Sequence, residues 1–148
     1  MSDIVIRPVA ASERAQWEPL WRGYLAFYEK SVPAAVTDFT WARLIDPQDA
    51  IEGLIAWQGQ QALGLVQYLL HPSTWNMGGN VYLQDLFVVP EARGKRIGRR
   101  LIAAVTEISK QKGAAVLYWQ TEEFNGTARR LYERVAKRAP FVRYNIEL

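Results

Sequence analysis

Five cations fall within eight residues, at Arg93, Lys95, Arg96, Arg99 and Arg100, with Gly94 and Gly98 set between them. Glycine lets a backbone approach an anion closely, and arginine can fork two donors onto phosphate or carboxylate oxygens. Directly C-terminal, Ile97, Leu101, Ile102, Val105 and Ile108 recur at the spacing of one helical face. A turn feeding a helix start aims free backbone N–H groups and the positive end of the dipole at one point, which suits a phosphate. On spacing alone, the competing reading is a helix that begins in solvent with a solvated basic face. Two nucleotide patterns fit worse, since neither GxxxxGK[ST] nor GxGxxG occurs in the turn. A second candidate is Tyr132, seven residues after Asn125. A phenol with a pKa of about 10 keeps its proton at neutral pH and can act as a general acid. Alone, Tyr132 reads first as a core aromatic beside Leu131 and Val135.

The elements that must position these groups follow from periodicity. Residues 81–89 form an apolar run that Val89-Pro90 stops, the profile of a buried strand. Upstream, residues 4–9 read as a first strand. A helix with Trp17, Leu20, Trp21, Tyr24, Leu25 and Tyr28 on its apolar face follows behind Ser12 as N-cap, with a kink or restart at Pro19. A second helix is expected over 38–45 behind Thr37, then a hairpin of strands 50–57 and 62–70, then a loop over 71–80 rich in turn formers. After the cationic turn, the helix should end near Lys112 with Gly113 as its left-handed cap. Residues 114–120 read as a strand parallel to the central one, because a helix joins the two. Asn125 caps a last helix with Ala128, Leu131, Tyr132 and Val135 on one face, Pro140 ends it, and residues 141–148 alternate as a closing strand.

Composition bounds the class. At 148 residues, nearly half of them hydrophobic, the chain is expected to form one domain over 1–148 with a proper core. There is no cysteine and one histidine, which removes thiolate chemistry and leaves a metal site without support. The charge is split: residues 1–90 carry five Lys/Arg against nine Asp/Glu, a net −4, while residues 91–148 carry thirteen against six, a net +7. Two opposed fields suit an anionic cofactor beside a cationic substrate better than they suit nucleic acid, which wants a continuous basic face. The start lacks a leader pattern and no run is long and apolar enough to span a bilayer, so the expected location is cytoplasmic, with no membrane partner.

Taken together, Arg93-Gly94-Lys95-Arg96-Ile97-Gly98 resembles the R/Q-x-x-G-x-G/A signature that follows the fourth strand in the GNAT superfamily of acetyl-coenzyme A-dependent N-acetyltransferases. Arg96 departs from it, standing where the family usually has glycine. Asn125 to Glu133 is similar to the second landmark, N-x-x-A-x-x-x-Y, with Ala128 at its alanine. Ile6-Arg7-Pro8 is similar to the usual opening, and the element order matches over essentially the whole chain. The end of the sequence is similar to the small branch that includes histone, polyamine and D-amino-acid acetyltransferases.

The resemblance implies an α/β (α+β) fold with a mixed, mostly antiparallel sheet, a splayed parallel pair and flanking helices. It implies acetyl-coenzyme A as co-substrate, with the turn from Arg93 through Arg99 on its phosphates. Backbone N–H groups of Leu86, Phe87 and Val88 would hold the pantetheine and the thioester carbonyl, Asn125 would bond the pantetheine, and Tyr132 would protonate the leaving thiolate. Gln84 stands where many relatives carry a glutamate base, and glutamine cannot take a proton. Asp85 is expected on the opposite face unless a bulge intervenes. Glu122 and Glu123 could act through water, or the amine could arrive already neutral. Tyr24, Tyr28, Glu29 and Asp38 would line the amine pocket. The implied acceptor is a small amine or amino acid, then a protein lysine. A coenzyme A-binding regulatory module without turnover is the reading from another class. A homodimer is implied, because the end of the chain in small relatives often pairs with a second subunit.

Overall fold

The computed structural model describes residues 3–122 and 125–148. Five strands form one sheet in the order β1 (Ile4–Pro8), β2 (Ile51–Gln58), β3 (Gln61–Ser73), β4 (Asn76–Val88) and β5 (Val116–Tyr118). All pairs are antiparallel except β4–β5, which is parallel. Strand alternation sends successive side chains to opposite faces. Ile55, Trp57, Leu65 and Phe87 meet Trp17, Leu20 and Trp21 of α1 (Arg14–Phe27) and Trp41 and Leu44 of α2 (Ala34–Ile45). Leu54, Ala56, Val66, Val81 and Leu83 meet Ile97, Leu101, Ile102 and Val105 of α3 (Ile97–Gln111). Leu131, Tyr132 and Val135 of α4 (Gly126–Val135) pack against that second cluster. Among the described residues, no helix is long and apolar enough to cross a membrane.

Several sequence expectations are corrected. Ser12 is not the cap. Residues Ala11–Glu13 form a 3-10 turn, and the Glu13 carboxylate accepts the Ala10 N–H at 2.8 Å while pairing with Arg7 at 2.6 Å. The helix α1 runs continuously through Pro19, without a restart. The helix α2 starts at Ala34 behind Pro33, and Thr37 instead accepts the Trp21 indole N–H at 3.1 Å. The expected loop at 71–80 is mostly strand: β3 and β4 run past it to a tight turn at Ser73–Asn76. Its glycines serve close approach, since a Cβ on Gly78 would sit 1.9 Å from the Gly113 carbonyl oxygen. The closing strand is absent. Residues 137–148 are exposed and form neither helix nor strand, with no strand partner among the described residues.

Candidate active site

The turn after β4 is built for free donors. A 3-10 turn over Pro90–Ala92 leads out of the strand, and the buried Ala92 and Ile97 anchor the ends of the exposed segment between them. Gly94 has φ +85° and Arg96 φ +62°, both in the left-handed region. That is the physical reason glycine is favoured at the Arg96 position, and a side chain there carries about 1 kcal/mol of backbone strain. The helix α3 begins without a side-chain cap, and its first backbone bond runs from the Arg100 N–H to the Arg96 carbonyl at 3.0 Å. The N–H groups of Ile97, Gly98 and Arg99 thus precede the helical ladder. Lys95, Arg96 and Arg99 are exposed beside them. Arg93 is used differently: its Nε donates to the Val88 carbonyl at 3.1 Å, and its guanidinium lies 5.5 Å from the Phe27 ring. Arg100 donates to the Ile4 carbonyl at 3.0 Å. The donor set, uncapped N–H groups beside the exposed Lys95, Arg96 and Arg99, fits a pyrophosphate.

The β4 strand leads from this turn into a cleft. It pairs with β5 only over Asn80–Tyr82, so residues 83–88 leave β5 and their outer edge is open. The Val89 N–H bonds the Leu63 carbonyl at 2.9 Å on the β3 side. Antiparallel alternation then turns the Phe87 N–H toward β3 as well, and those of Leu86 and Val88 toward the open edge. This corrects the expectation for Phe87, whose ring is also buried among the α1 tryptophans. Leu86 and Val88 keep free donors of the kind a thioester chain needs.

The bulge in β4 settles the neighbouring polar residues. Gln67 pairs with Asp85 and Tyr68 with Leu83, leaving Gln84 as the extra residue. Both Gln84 and Asp85 therefore face the α1 side. Asp85 accepts the Gln67 amide at 2.7 Å, and Gln67 in turn accepts the Trp17 indole N–H at 2.9 Å. Burial pushes the Asp85 carboxyl up, against the opposing pull of its bonds to Gln67 and Tyr24. The Tyr24 phenol is raised by burial and by Asp85.

A cleft of about 280 Å³ opens where β4 and β5 part, and Tyr24, Tyr28, Gln84, Leu86, Glu122 and Tyr132 all line it. Burial, and next the neighbouring Tyr28, push the Tyr132 phenol up to about 12. Its ring stands edge-on to Trp119 at 5.5 Å. Asn125 accepts the Ala128 N–H at 3.4 Å as the α4 cap and donates to Thr121 at 3.4 Å. The structure does not bring Glu29 or Asp38 to this cleft. Glu29 is exposed past the end of α1, and Asp38 pairs with Arg14 on the outer surface. Glu123 lies outside the described residues. Sequence reasoning missed Tyr82, Trp119 and Arg143, which also line the cleft. The alternation of 141–148 held the signal for Arg143, since it places that residue opposite Val142 and Tyr144. His71 does not line the cleft; it bonds the Tyr118 hydroxyl at 2.8 Å, and the Tyr118 ring stacks on Tyr82 of the cleft wall at 4.9 Å. Among the described residues, no group of three potential metal ligands occurs.

Residues 14–136 match the Acetyltransferase (GNAT) family. The chain is 34% identical to the D-amino-acid N-acetyltransferase HPA3 of Saccharomyces cerevisiae, over 95% of this chain and 89% of that protein. It is 37% identical to the uncharacterized N-acetyltransferase YhfO of Bacillus subtilis, over 87% and 86% of the two chains. Its fold is similar to that of the ribosomal-protein-alanine N-acetyltransferase from Brucella melitensis biovar Abortus 2308. That superposition has a TM-score of 0.80 at 22% identity and covers 99% of this chain and 100% of that one.

Proposed function

The chain belongs to the GNAT acetyltransferase family, and on that premise we propose that it moves the acetyl group of acetyl-coenzyme A to the primary amine of a small molecule or amino acid. The observation that carries this reading is the cleft at the splay of β4 from β5, lined among the described residues by phenols, the amides of Gln84 and Gln120, and the Glu122 carboxylate. Its volume of about 280 Å³ suits a small acceptor. The HPA3 relative, named for D-amino acids, supports the same class.

Each residue then has a task. The N–H groups at the start of α3, with Lys95, Arg96 and Arg99, hold the pyrophosphate. The Leu86 and Val88 N–H groups hold the thioester arm and polarise its carbonyl as negative charge develops on the oxygen. The amine must be neutral to attack. Gln84 cannot remove its proton, so Glu122 takes it through water. As the C–N bond forms and the C–S bond breaks, the nitrogen gives its second proton to the same water, Tyr132 gives its proton to the sulfur, and the phenolate regains one from solvent. Acetyl-coenzyme A turnover against a panel of polyamines, amino acids and lysine peptides tests the reading. The small amines or amino acids should be the better substrates, and a preference for the peptides would overturn the acceptor class.

The active species in this reading is a homodimer located in the cytoplasm. Val142, Tyr144, Ile146 and Leu148 alternate along the tail, yet are between 76% and 117% exposed. A strand gains stability only against a neighbour, and such a row in water is a ready interface. A second copy covers it. Light scattering should give twice the chain mass, and Ile146→Lys combined with Leu148→Lys should give a folded monomer. A double variant that remains dimeric would move the interface elsewhere.

A further inference from the structure

The cleft contains a cation for which the transfer just described has no task. Arg143 comes from the C-terminal tail and lines the same cleft as Tyr28, Gln84 and Glu122. Two hydrogen bonds hold its guanidinium: Nη1 donates to the Gln120 side-chain oxygen at 2.6 Å, and Nε donates to the Asn145 side-chain oxygen at 2.8 Å. A guanidinium has five N–H donors in a rigid fork. Three are left over, including both on Nη2, and among the described residues no carboxylate pairs with them. The fork is therefore oriented by neutral partners and keeps its charge for something else.

For a plain amine or polyamine this placement is adverse. Such a substrate arrives as a cation, and a guanidinium in a pocket of this size repels it. The pocket also carries the Glu122 carboxylate, so among the described residues its wall offers one negative and one positive group. That pattern complements a zwitterion. A carboxylate is planar and accepts two parallel N–H bonds from an arginine fork, a stronger and more selective contact than an ammonium could make there. Resting on acetyl transfer as read above, we propose that Arg143 receives the carboxylate of an amino-acid acceptor and so makes the enzyme select amino acids over the corresponding amines. Arg143 is a specificity residue and takes no part in proton transfer.

The test uses matched pairs that differ only by the carboxylate: lysine with cadaverine, and phenylalanine, in both enantiomers, with phenethylamine. Each is titrated calorimetrically into the full-length protein saturated with coenzyme A, and each is assayed for turnover. The wild type should bind at least one amino acid about tenfold more tightly than its amine, the scale of a partly exposed charge-assisted bidentate contact. Arg143→Gln should erase that difference, raising KM for the amino acid about tenfold with kcat nearly unchanged. Its affinity for the amine should rise slightly as the repulsion is relieved, and that for coenzyme A should stay as in the wild type. Arg143→Lys, which keeps the charge without the fork, should recover part of the preference. Light scattering and thermal melting on both variants separate this effect from any change in assembly. A wild type that prefers the amines, or an Arg143→Gln variant that weakens both members of a pair equally, overturns the assignment. Carboxylate-dependent binding without turnover would retain Arg143 and instead overturn the acetyl-transfer reading.

Discussion

Tyr132→Phe should yield a folded protein that binds coenzyme A normally and turns over about a hundredfold more slowly. The ring packs edge-on to Trp119 and against the α3-side core, contacts that phenylalanine retains. What disappears is the proton destined for the departing sulfur. Burial and the nearby Tyr28 raise the phenol to about 12, so it stays protonated throughout the range in which the amine becomes neutral. The sign follows directly: a raised pKa keeps the acid loaded as pH increases. In the wild type, kcat/KM should climb from neutral toward alkaline pH as the amine loses its proton, with no decline from Tyr132 below about pH 11. A descending limb near pH 9 that vanishes in Tyr132→Phe would contradict this environment. A variant with the wild-type rate would return Tyr132 to the core alone.

The second large effect belongs to Gly98→Glu, which should raise KM for acetyl-coenzyme A on the order of a hundredfold. Gly98 lies in the first turn of α3, beside the uncapped donors, and a Cβ there meets only ordinary contacts with Leu131 at 3.8 Å and Val88 at 3.9 Å. The backbone therefore accepts a side chain, and the loss is one of charge. Glutamate sets a carboxylate where the pyrophosphate must lie and competes for the same cations. Gly98→Ala is the control. It should bind the co-substrate as the wild type does and melt slightly higher, because alanine is the better helix former by up to about 1 kcal/mol. Wild-type affinity should fall as salt is added, through screening of Lys95, Arg96 and Arg99. Gly98→Glu with unaltered KM would place the phosphates away from α3. Gly94→Glu is a weaker probe, since φ +85° adds strain to any side chain.

The acidic half of the chain is the instructive miss. A net −4 over residues 1–90 implied carboxylates around a cationic amine. Yet Asp38 is engaged with Arg14, Glu18 with Arg14 and Arg22, Glu13 with Arg7, and Glu52 with Lys112. Net charge counts residues without regard to partners, and most of these carboxylates are satisfied on surfaces away from the cleft. Among the described residues, the carboxylate that does line it, Glu122, comes from the basic half.

Local regularities were legible from the residues alone. The cation and glycine spacing from Arg93 to Arg99, the 3–4 periodicity of α1 and α3, and the Asn125 cap all depend on neighbours in sequence. Each survives whatever the rest of the chain does. The tertiary structure decided what depends on pairing. The extra residue at Gln84 exists only in the register of β4 against β3, and it alone turns Asp85 to the α1 side. Residues 71–80 became strand because two long antiparallel neighbours satisfied backbone groups that turn-forming side chains would otherwise have claimed. Residues 141–148 failed to become one for the opposite reason. Their alternation is intact, but a strand is a property of two chains of backbone, and β5 is only three residues long. Arg143 entered the cleft through that same tail, placed by Gln120, a contact across 23 positions that no periodicity encodes.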